Sequence, residues 1–264
     1  MAVLSRGARI DGGKEGTLIV LANGPSLNTT IEENKDILLA HDALSVNFAP
    51  LSDVFFEICP KYHVLADPLF FRECESENVR KLYERLRSVD WPMTLFVPVK
   101  CAKTVSRLLE GNSFITVNTF NFVGVEGYAW LERVAYNRRR GMPRPRNVLV
   151  PALMCGMWLG YKKIYIVGAD HSWMQTISVD DANNVISVQP HFYKDDKGEQ
   201  QRVDTAYRNY RLHDIVESFA IAFRSYHNVQ RYAVSRGVEI TNSTPCSFID
   251  AFPRAPLSSI EQVD

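Results

Sequence analysis

The sequence contains few cysteines, and their spacing excludes the folds that cysteines usually build. The chain has 264 residues and five scattered cysteines with no C-x-x-C pair: Cys59, Cys74, Cys101, Cys155 and Cys246. Disulfide-held secreted domains and zinc-binding modules both need regularly spaced cysteines. An odd number without such spacing is typical of a protein from a reducing compartment.

Net charge and long apolar runs are missing as well. The 30 basic and 30 acidic residues cancel, which argues against a nucleic-acid partner. No apolar run reaches the length of about 20 residues that spans a bilayer, and the N-terminus lacks the pattern of a secretory signal. The sequence therefore predicts a cytoplasmic protein, with any inner-membrane contact being peripheral.

What the sequence does have is an apolar segment that leads through a polar turn toward a helix. Residues Thr17–Ala22 predict a buried strand, Asn23–Ser26 a tight turn, and Asn28–Thr30 candidate N-caps. The N-terminus of a helix favours an anion, and Gly24 leaves room for one beside the backbone. The turn is neither a G-x-G-x-x-G fingerprint nor a Gly-Lys-Ser/Thr P-loop, so an ordinary βα turn is the alternative.

Strand and helix patterns alternate along most of the chain. Further strands are predicted at residues 43–48, 61–66, 94–97, 114–117, 163–168 and 238–240, and helices at 75–88, 101–110, 149–160 and 205–236. This alternation predicts an α/β fold with a Rossmann-like, mostly parallel sheet. We expect residues 1–16 to be a leader and residues 17–264 a single domain, in which the polar stretch 169–204 is a lid.

Polar residues lie within or just after the last residues of four of the predicted strands. In chain order they are Asn23, Asn47, Asp67, and the segment Asp170–Ser172. In doubly wound sheets, ligands bind at the carboxyl ends of the strands. Polar residues at four such ends therefore predict one shared binding site.

These segments resemble the bacterial sialyltransferases of glycosyltransferase family 42. The resemblance covers residues 17 to about 173 and consists of four segments in the family's order: Leu21–Leu27, Val46–Asn47, Ala66–Phe71 and Leu159–Asp170. It implies a GT-A-like variant of the α/β fold with a lid, a CMP-sugar donor and no cofactor or metal. The sequence also lacks the D-x-D triad that holds a divalent ion in many sugar transferases. A related group, the motility accessory factors and 6-hydroxymethylpterin pyrophosphokinases, shares the Gly-Pro-Ser-Leu turn and the Gly-x-Asp strand end.

The resemblance also implies roles for individual residues. Those implied for the nucleotide are Asn23, Gly24, Pro25, Ser26, Asn47, Asp67, Asp170 and Ser172. Two departures from the family concern this set, because Asp67 replaces an asparagine and Ser172-Trp173 stands where the family has a tyrosine.

In that family a lid histidine is the general base that takes the proton from the acceptor hydroxyl. Histidine suits this task because its pKa is near neutrality. His191, which aromatic residues follow, is the first candidate here, and His171 is the second. Tyr193 or Arg146 would meet the charge of the leaving phosphate.

Six arginines lie between Arg133 and Arg146, interrupted by glycine and proline. The segment is either a solvated loop, a clamp for an anionic acceptor, or a contact with anionic lipid headgroups.

The sequence thus predicts metal-independent, inverting transfer of an acidic sugar from a CMP-sugar to a glycan or glycolipid. The sugar would be sialic acid, a related nonulosonate or a Kdo-type acid, and the product lipopolysaccharide or capsule. A homo-oligomer is compatible with this prediction. One alternative is a Mg²⁺-dependent pyrophosphokinase-like enzyme with Asp67 and Asp170 as metal ligands. The other is a nucleotide-binding module without activity.

Overall fold

Seven strands form the central sheet, and they coincide with the apolar segments of the sequence. The computed structural model describes residues 13–14, 16–71, 76–187 and 210–260. The described strands are β1 (Thr17–Leu21), β2 (Asp42–Val46), β3 (Tyr62–Val64), β4 (Met93–Pro98), β5 (Ile115–Phe120), β6 (Lys163–Val167), β7 (Ile177–Val179), β8 (Val185–Ser187) and β9 (Glu239–Asn242). Strands β7 and β8 pair with each other, and the other seven form the central sheet.

The strand order of the sheet creates a crevice beside β1. The order is β5-β4-β3-β2-β1-β6-β9, and all neighbouring strands run parallel. The chain first builds from β1 outward to β5, and then returns to place β6 on the other side of β1. Such a reversal is a topological switch point, at whose carboxyl edge ligands bind. The structure confirms the predicted Rossmann-like α/β fold.

Helices cover both faces of the sheet. They are α1 (Ser26–Ala40), α2 (Val54–Ile58), α3 (Glu77–Arg87), α4 (Ala102–Leu108), α5 (Ala129–Asn137), α6 (Leu149–Leu159) and α7 (Leu212–Ser235). Along β1, Leu18 and Val20 pack in the layer of α5 to α7, whereas Ile19 and Leu21 pack in the layer of α1 to α4. Since both faces are buried, the central strands are continuous apolar runs. None of the described helices has the length and apolar character needed to cross a bilayer.

The structure corrects the predicted elements in four places. Helix α2 lies in a segment for which no element was predicted. The segment Arg133–Arg146 begins inside α5, a helix that was not predicted. The predicted helix 205–236 is observed as Leu212–Ser235, and residues 205–209 lie outside the described residues. The predicted lid 169–204 contains one turn of 3₁₀ helix and the antiparallel pair β7–β8; its residues 188–204 lie outside the described residues.

The β7–β8 hairpin has a local cause in its turn. The Asp180 carboxylate accepts hydrogen bonds from the backbone N–H groups of Ala182 (3.0 Å) and Asn184 (2.7 Å). A side chain that binds the backbone two and four residues ahead mimics a backbone turn. Part of the polar stretch is therefore ordered by its own aspartate.

Candidate functional site

A cleft of about 430 Å³ opens at the switch point between β1 and β6. Its lining includes residues that follow β1, β2, β3 and β6, together with the segment Pro145–Leu149 at the start of α6. Of the predicted site residues, Asn23, Gly24, Pro25, Asn47, Asp67, Arg146, Asp170, His171 and Ser172 line this cleft. Ser26 is bonded to one of them, so the described part of the predicted site is brought together.

Asp170 caps α1 from across the cleft. The helix begins at Ser26, two residues before the predicted N-cap region. Asp170 Oδ1 accepts the Ser26 N–H (3.3 Å), and Asp170 Oδ2 accepts the Ser26 hydroxyl (2.9 Å). A carboxylate at this position interacts favourably with the helix dipole. The anion at the start of α1 is therefore supplied by the chain itself.

Gly24 makes room for that carboxylate. A Cβ atom on Gly24 would lie 1.9 Å from Asp170 Oδ2 and 2.6 Å from the Gly168 carbonyl oxygen. The Gly24 N–H donates to the same Gly168 carbonyl (2.7 Å), which draws the ends of β1 and β6 together. Sequence reasoning assigned the space beside Gly24 to a ligand phosphate, but in the structure Asp170 fills it.

Two asparagines that line the cleft have side-chain oxygens that are buried without a hydrogen-bond partner among the described residues. They are Oδ1 of Asn23 and Oδ1 of Asn47. The orientation of the Asn23 amide is set by its Nδ2, which donates to the Val46 carbonyl (3.1 Å). Asn47 has a φ of +47°, a left-handed conformation that non-glycine residues rarely adopt. Buried acceptors without donors cost stability unless a ligand supplies the donors.

Asp67 lies at the end of β3 on the same side of the cleft. Its Oδ1 accepts the Leu69 N–H (2.9 Å), which starts a turn of 3₁₀ helix at Pro68–Phe71. This carboxylate and that of Asp170, which follows β6, are the two acidic groups in the cleft lining.

His171 is held by a relay of hydrogen bonds that begins at α6. Asn147 Oδ1 accepts the Leu149 N–H (3.1 Å), which fixes the amide so that its Nδ2 donates to the Tyr226 hydroxyl (2.6 Å). That hydroxyl lies 3.2 Å from His171 Nδ1. Because the Tyr226 hydroxyl oxygen accepts a hydrogen bond from Asn147, its own O–H is available to donate to Nδ1. We assign the neutral imidazole with its proton on Nε2 from this network.

Aromatic rings enclose the His171 imidazole. The Trp173 ring centroid is 4.2 Å away and that of Tyr226 is 5.5 Å away, nearly parallel to the imidazole. Loss of water around the ring lowers the pKa of His171 to about 3. The backbone of His171 is also left-handed, with a φ of +50°. The histidine is therefore neutral near pH 7 and is a hydrogen-bond donor in the assigned tautomer.

The lining segment Pro145–Leu149 contributes positive charge to the cleft. Arg146 is exposed there and precedes α6, whose first turn contains no acidic residue. The start of α6 adds the partial positive charge of its dipole. An anionic group in the cleft would consequently bind beside Arg146 and not at the start of α1.

Two of the predicted catalytic residues, His191 and Tyr193, lie outside the described residues. Within the described ranges, no cluster of three His, Cys, Asp or Glu side chains is arranged to hold a metal ion. The metal-independent chemistry predicted from the sequence stays a prediction.

Sequence reasoning missed Asn147 and Tyr226, which orient His171. Asn147 had a detectable signal, because an asparagine just before an apolar helix is a preferred N-cap. Tyr226 had none, since it lies on α7, 55 residues after His171 along the chain.

Neither a protein-family model nor a curated protein matches this chain. Among solved structures, a MAf glycosyltransferase from Magnetospirillum magneticum AMB-1 has a similar fold, with a TM-score of 0.55 and 12% identity over 97% of this chain. The match covers 36% of that protein, so this chain spans about a third of its length. At this identity the likeness concerns the α/β fold.

Proposed function

We propose that the cleft binds a CMP-activated acidic sugar and transfers the sugar to a glycan acceptor. The observation that carries this proposal is the pair of buried, unpartnered oxygens of Asn23 and Asn47 at the switch point. Nucleosides present matching donors, namely the ribose hydroxyls and, in cytosine, the exocyclic amine. The solved neighbour is itself named a glycosyltransferase, and the sialyltransferase-like motifs suggest the acidic sugar.

The two oxygens also favour cytosine over uracil. Cytosine carries a donor amine where uracil carries an acceptor oxygen. An acceptor that faces the uracil oxygen would stay unpaired and repel it, which costs on the order of 1–3 kcal/mol. The proposed donor is therefore a cytidine nucleotide.

The phosphate would lie beside Arg146, the start of α6 and the Nε2–H of His171. Asp67 and Asp170 make the positions beside them unfavourable for an anion. In transfer, the acceptor oxygen attacks the anomeric carbon while the bond from that carbon to the phosphate oxygen breaks. CMP leaves with the electron pair, and Arg146 and the start of α6 stabilise its charge.

His191 is proposed as the base that receives the acceptor's proton, and Tyr193 as a further donor to the phosphate. A pKa of about 3 makes His171 a weak base at neutral pH. Its assigned Nε2–H suits it to donate a hydrogen bond. We therefore separate the two histidines, with His191 as base and His171 as donor.

Melting temperature measured with CMP, UMP and ATP, each with and without Mg²⁺, tests the nucleotide. CMP should stabilise the protein without Mg²⁺ by binding only the folded state. Stabilisation by ATP only with Mg²⁺ would instead favour the pyrophosphokinase-like alternative. Equal stabilisation by CMP and UMP would refute the argument from the two oxygens.

The variant Asn47→Gly tests the site itself. Glycine adopts the φ of +47° without strain, so the change removes the amide with little effect on folding. CMP affinity should fall about tenfold. Asn183→Gly is the matched control, because Asn183 is also left-handed (φ +61°) but exposed on the β7–β8 turn. Transfer from CMP-sialic acid and CMP-Kdo should be lost in His191→Ala, with CMP binding retained.

A further inference from the structure

Helix α5 is anchored firmly by its inner face. Glu132 is buried, accepts the Gly127 N–H (2.9 Å) and pairs with Arg231 (3.6 Å). The Tyr136 hydroxyl donates to the Val125 carbonyl (2.5 Å), and its ring packs edge-to-face on Tyr232 at 5.3 Å. The opposite face of the helix is consequently held in a fixed orientation.

That opposite face is apolar and exposed. Side chains at positions 132 and 136 point inward, so the helical period of 3.6 residues directs Val134 outward, with Trp130 and Leu131 flanking it. Trp130 is 62% exposed, Leu131 45% and Val134 36%, and Tyr128 just before the helix is 76% exposed. Exposed large hydrophobic residues that cluster in this way mark a binding surface.

Exposed arginines lie within α5 and in the segment that follows it. Arg133, Arg138, Arg140, Arg144 and Arg146 are all exposed, and within the described part of the chain none of them has a carboxylate partner. Between residues 123 and 146 the exposed carboxylate is that of Glu126, because Glu132 is buried. A chain with no net charge thus concentrates positive charge in the segment that contains this apolar helix face.

We propose that this α5 patch (Tyr128, Trp130, Leu131, Val134 and the exposed arginines from Arg133 to Arg146) docks on an anionic lipid bilayer. Trp and Tyr prefer the headgroup level, aliphatic side chains enter the acyl boundary, and arginines attract anionic lipid. The aliphatic centre of the patch offers nothing to a nucleic acid, which is bound through phosphates and stacked bases. A symmetric contact with a second copy would bring the same arginines face to face.

The α5 patch meets the cleft at its edge. Arg146 belongs to both surfaces, and Phe122, next to the loop that leads to α5, lines the cleft. Docking would therefore hold the mouth of the cleft close to lipid headgroups. This placement does not depend on what the cleft binds. The proposal of membrane docking and the proposal of CMP-sugar binding are therefore tested independently.

Flotation of the full chain with vesicles tests the proposal. Vesicles of phosphatidylcholine mixed with phosphatidylglycerol should carry the protein to the top of the gradient, and vesicles of phosphatidylcholine alone should not. High salt should release the protein, since exposed charges are screened. The double variant Arg133→Gln/Arg138→Gln should weaken binding by roughly 30-fold, at about fivefold for each arginine. Trp130→Ala should weaken it by about tenfold.

A matched control lies on the opposite face of the sheet. Leu39→Ala/Arg80→Gln removes one exposed apolar and one exposed basic side chain from α1 and α3, and should leave vesicle binding unchanged. The proposal is overturned if the protein ignores anionic vesicles, or if the α5 variants bind them as well as the wild type does. It is equally overturned if the α5 variants lose binding to RNA, to an acidic protein or to a second copy while vesicle binding persists.

Discussion

Replacing Gly24 with alanine tests whether Asp170 or a ligand occupies the space beside the first turn. The new Cβ would lie 1.9 Å from Asp170 Oδ2, where ordinary contact begins at 3.4 Å. The carboxylate would have to move by about 1.5 Å, which breaks its two hydrogen bonds to Ser26. The Gly168 carbonyl, 2.6 Å from the same Cβ, limits how far the turn itself can shift.

The magnitude follows from these contacts. Losing the charged cap of α1 costs about 1–2 kcal/mol, and forcing a methyl group against a backbone carbonyl costs about 1–3 kcal/mol more. We therefore expect Gly24→Ala to lower the free energy of unfolding by about 2–5 kcal/mol in the absence of any ligand. Urea unfolding monitored by circular dichroism measures this value, provided that the m-value is unchanged.

A double-mutant cycle isolates the role of Asp170. Asp170→Ala alone removes the cap, and in the double variant the clash with the carboxylate no longer exists. The double variant should therefore be more stable than the sum of the single effects predicts, by about 1–2 kcal/mol. Strict additivity would contradict the assigned contact. The reasoning would be refuted if Gly24→Ala were as stable as the wild type but no longer bound CMP. In that case a ligand, and not Asp170, would occupy the space beside Gly24.

Two further predictions concern buried rings. His63 is fully buried and its pKa is lowered to about 3, so below the unfolded pKa of 6.5 only the unfolded chain binds the proton. The free energy of unfolding should fall by about 1.4 kcal/mol per pH unit from about pH 6.5 downward. Urea unfolding at several pH values measures this dependence. The free energy of unfolding should depend less steeply on pH in His63→Gln than in the exposed control His213→Gln. Tyr226→Phe removes the hydroxyl between Asn147 and His171, which should cost about 1–3 kcal/mol and abolish the preference for the Nε2–H tautomer. Nitrogen-15 NMR of the imidazole reports the tautomer, and a protonated Nδ1 in the wild type would contradict the relay.

The elements that could be predicted are those whose burial is apparent from a short stretch of the amino-acid sequence. Strands β1 and β6 are covered on both faces, so they appear as unbroken apolar runs. Helix α5 was missed because its pattern is inverted. Its inner face contains Glu132, whose partner Arg231 is far along the chain, and its outer face contains Trp130 and Val134. Amphipathic periodicity cannot reveal a helix that buries its glutamate and exposes its tryptophan.

The site also contains some residues that could be predicted from the sequence and one contact that could not. Asn23, Asn47 and Asp67 were predictable because topology alone places the ends of parallel strands along one edge. The partner of the α1 start was not, because Asp170 lies 144 residues from Ser26. Local capping preferences pointed to Asn28–Thr30, but the carboxylate of Asp170, in the segment after β6, supplies the cap. Long-range contacts of this kind follow from the packed structure and leave no short-range signal.

The cap at α1 changes how charge is distributed in this version of the fold. The first helix start of a Rossmann-like sheet is normally the place for a ligand phosphate, but here Asp170 sits at that position, and Asp67 adds a second carboxylate to the cleft lining. The lining also contains Arg146 and the start of α6. Arg146 is also the last of the exposed arginines in the segment that begins on α5, so one residue belongs both to the cleft lining and to the α5 patch. An anionic group that approaches along a lipid surface would meet the cleft at Arg146, the position proposed for the donor phosphate.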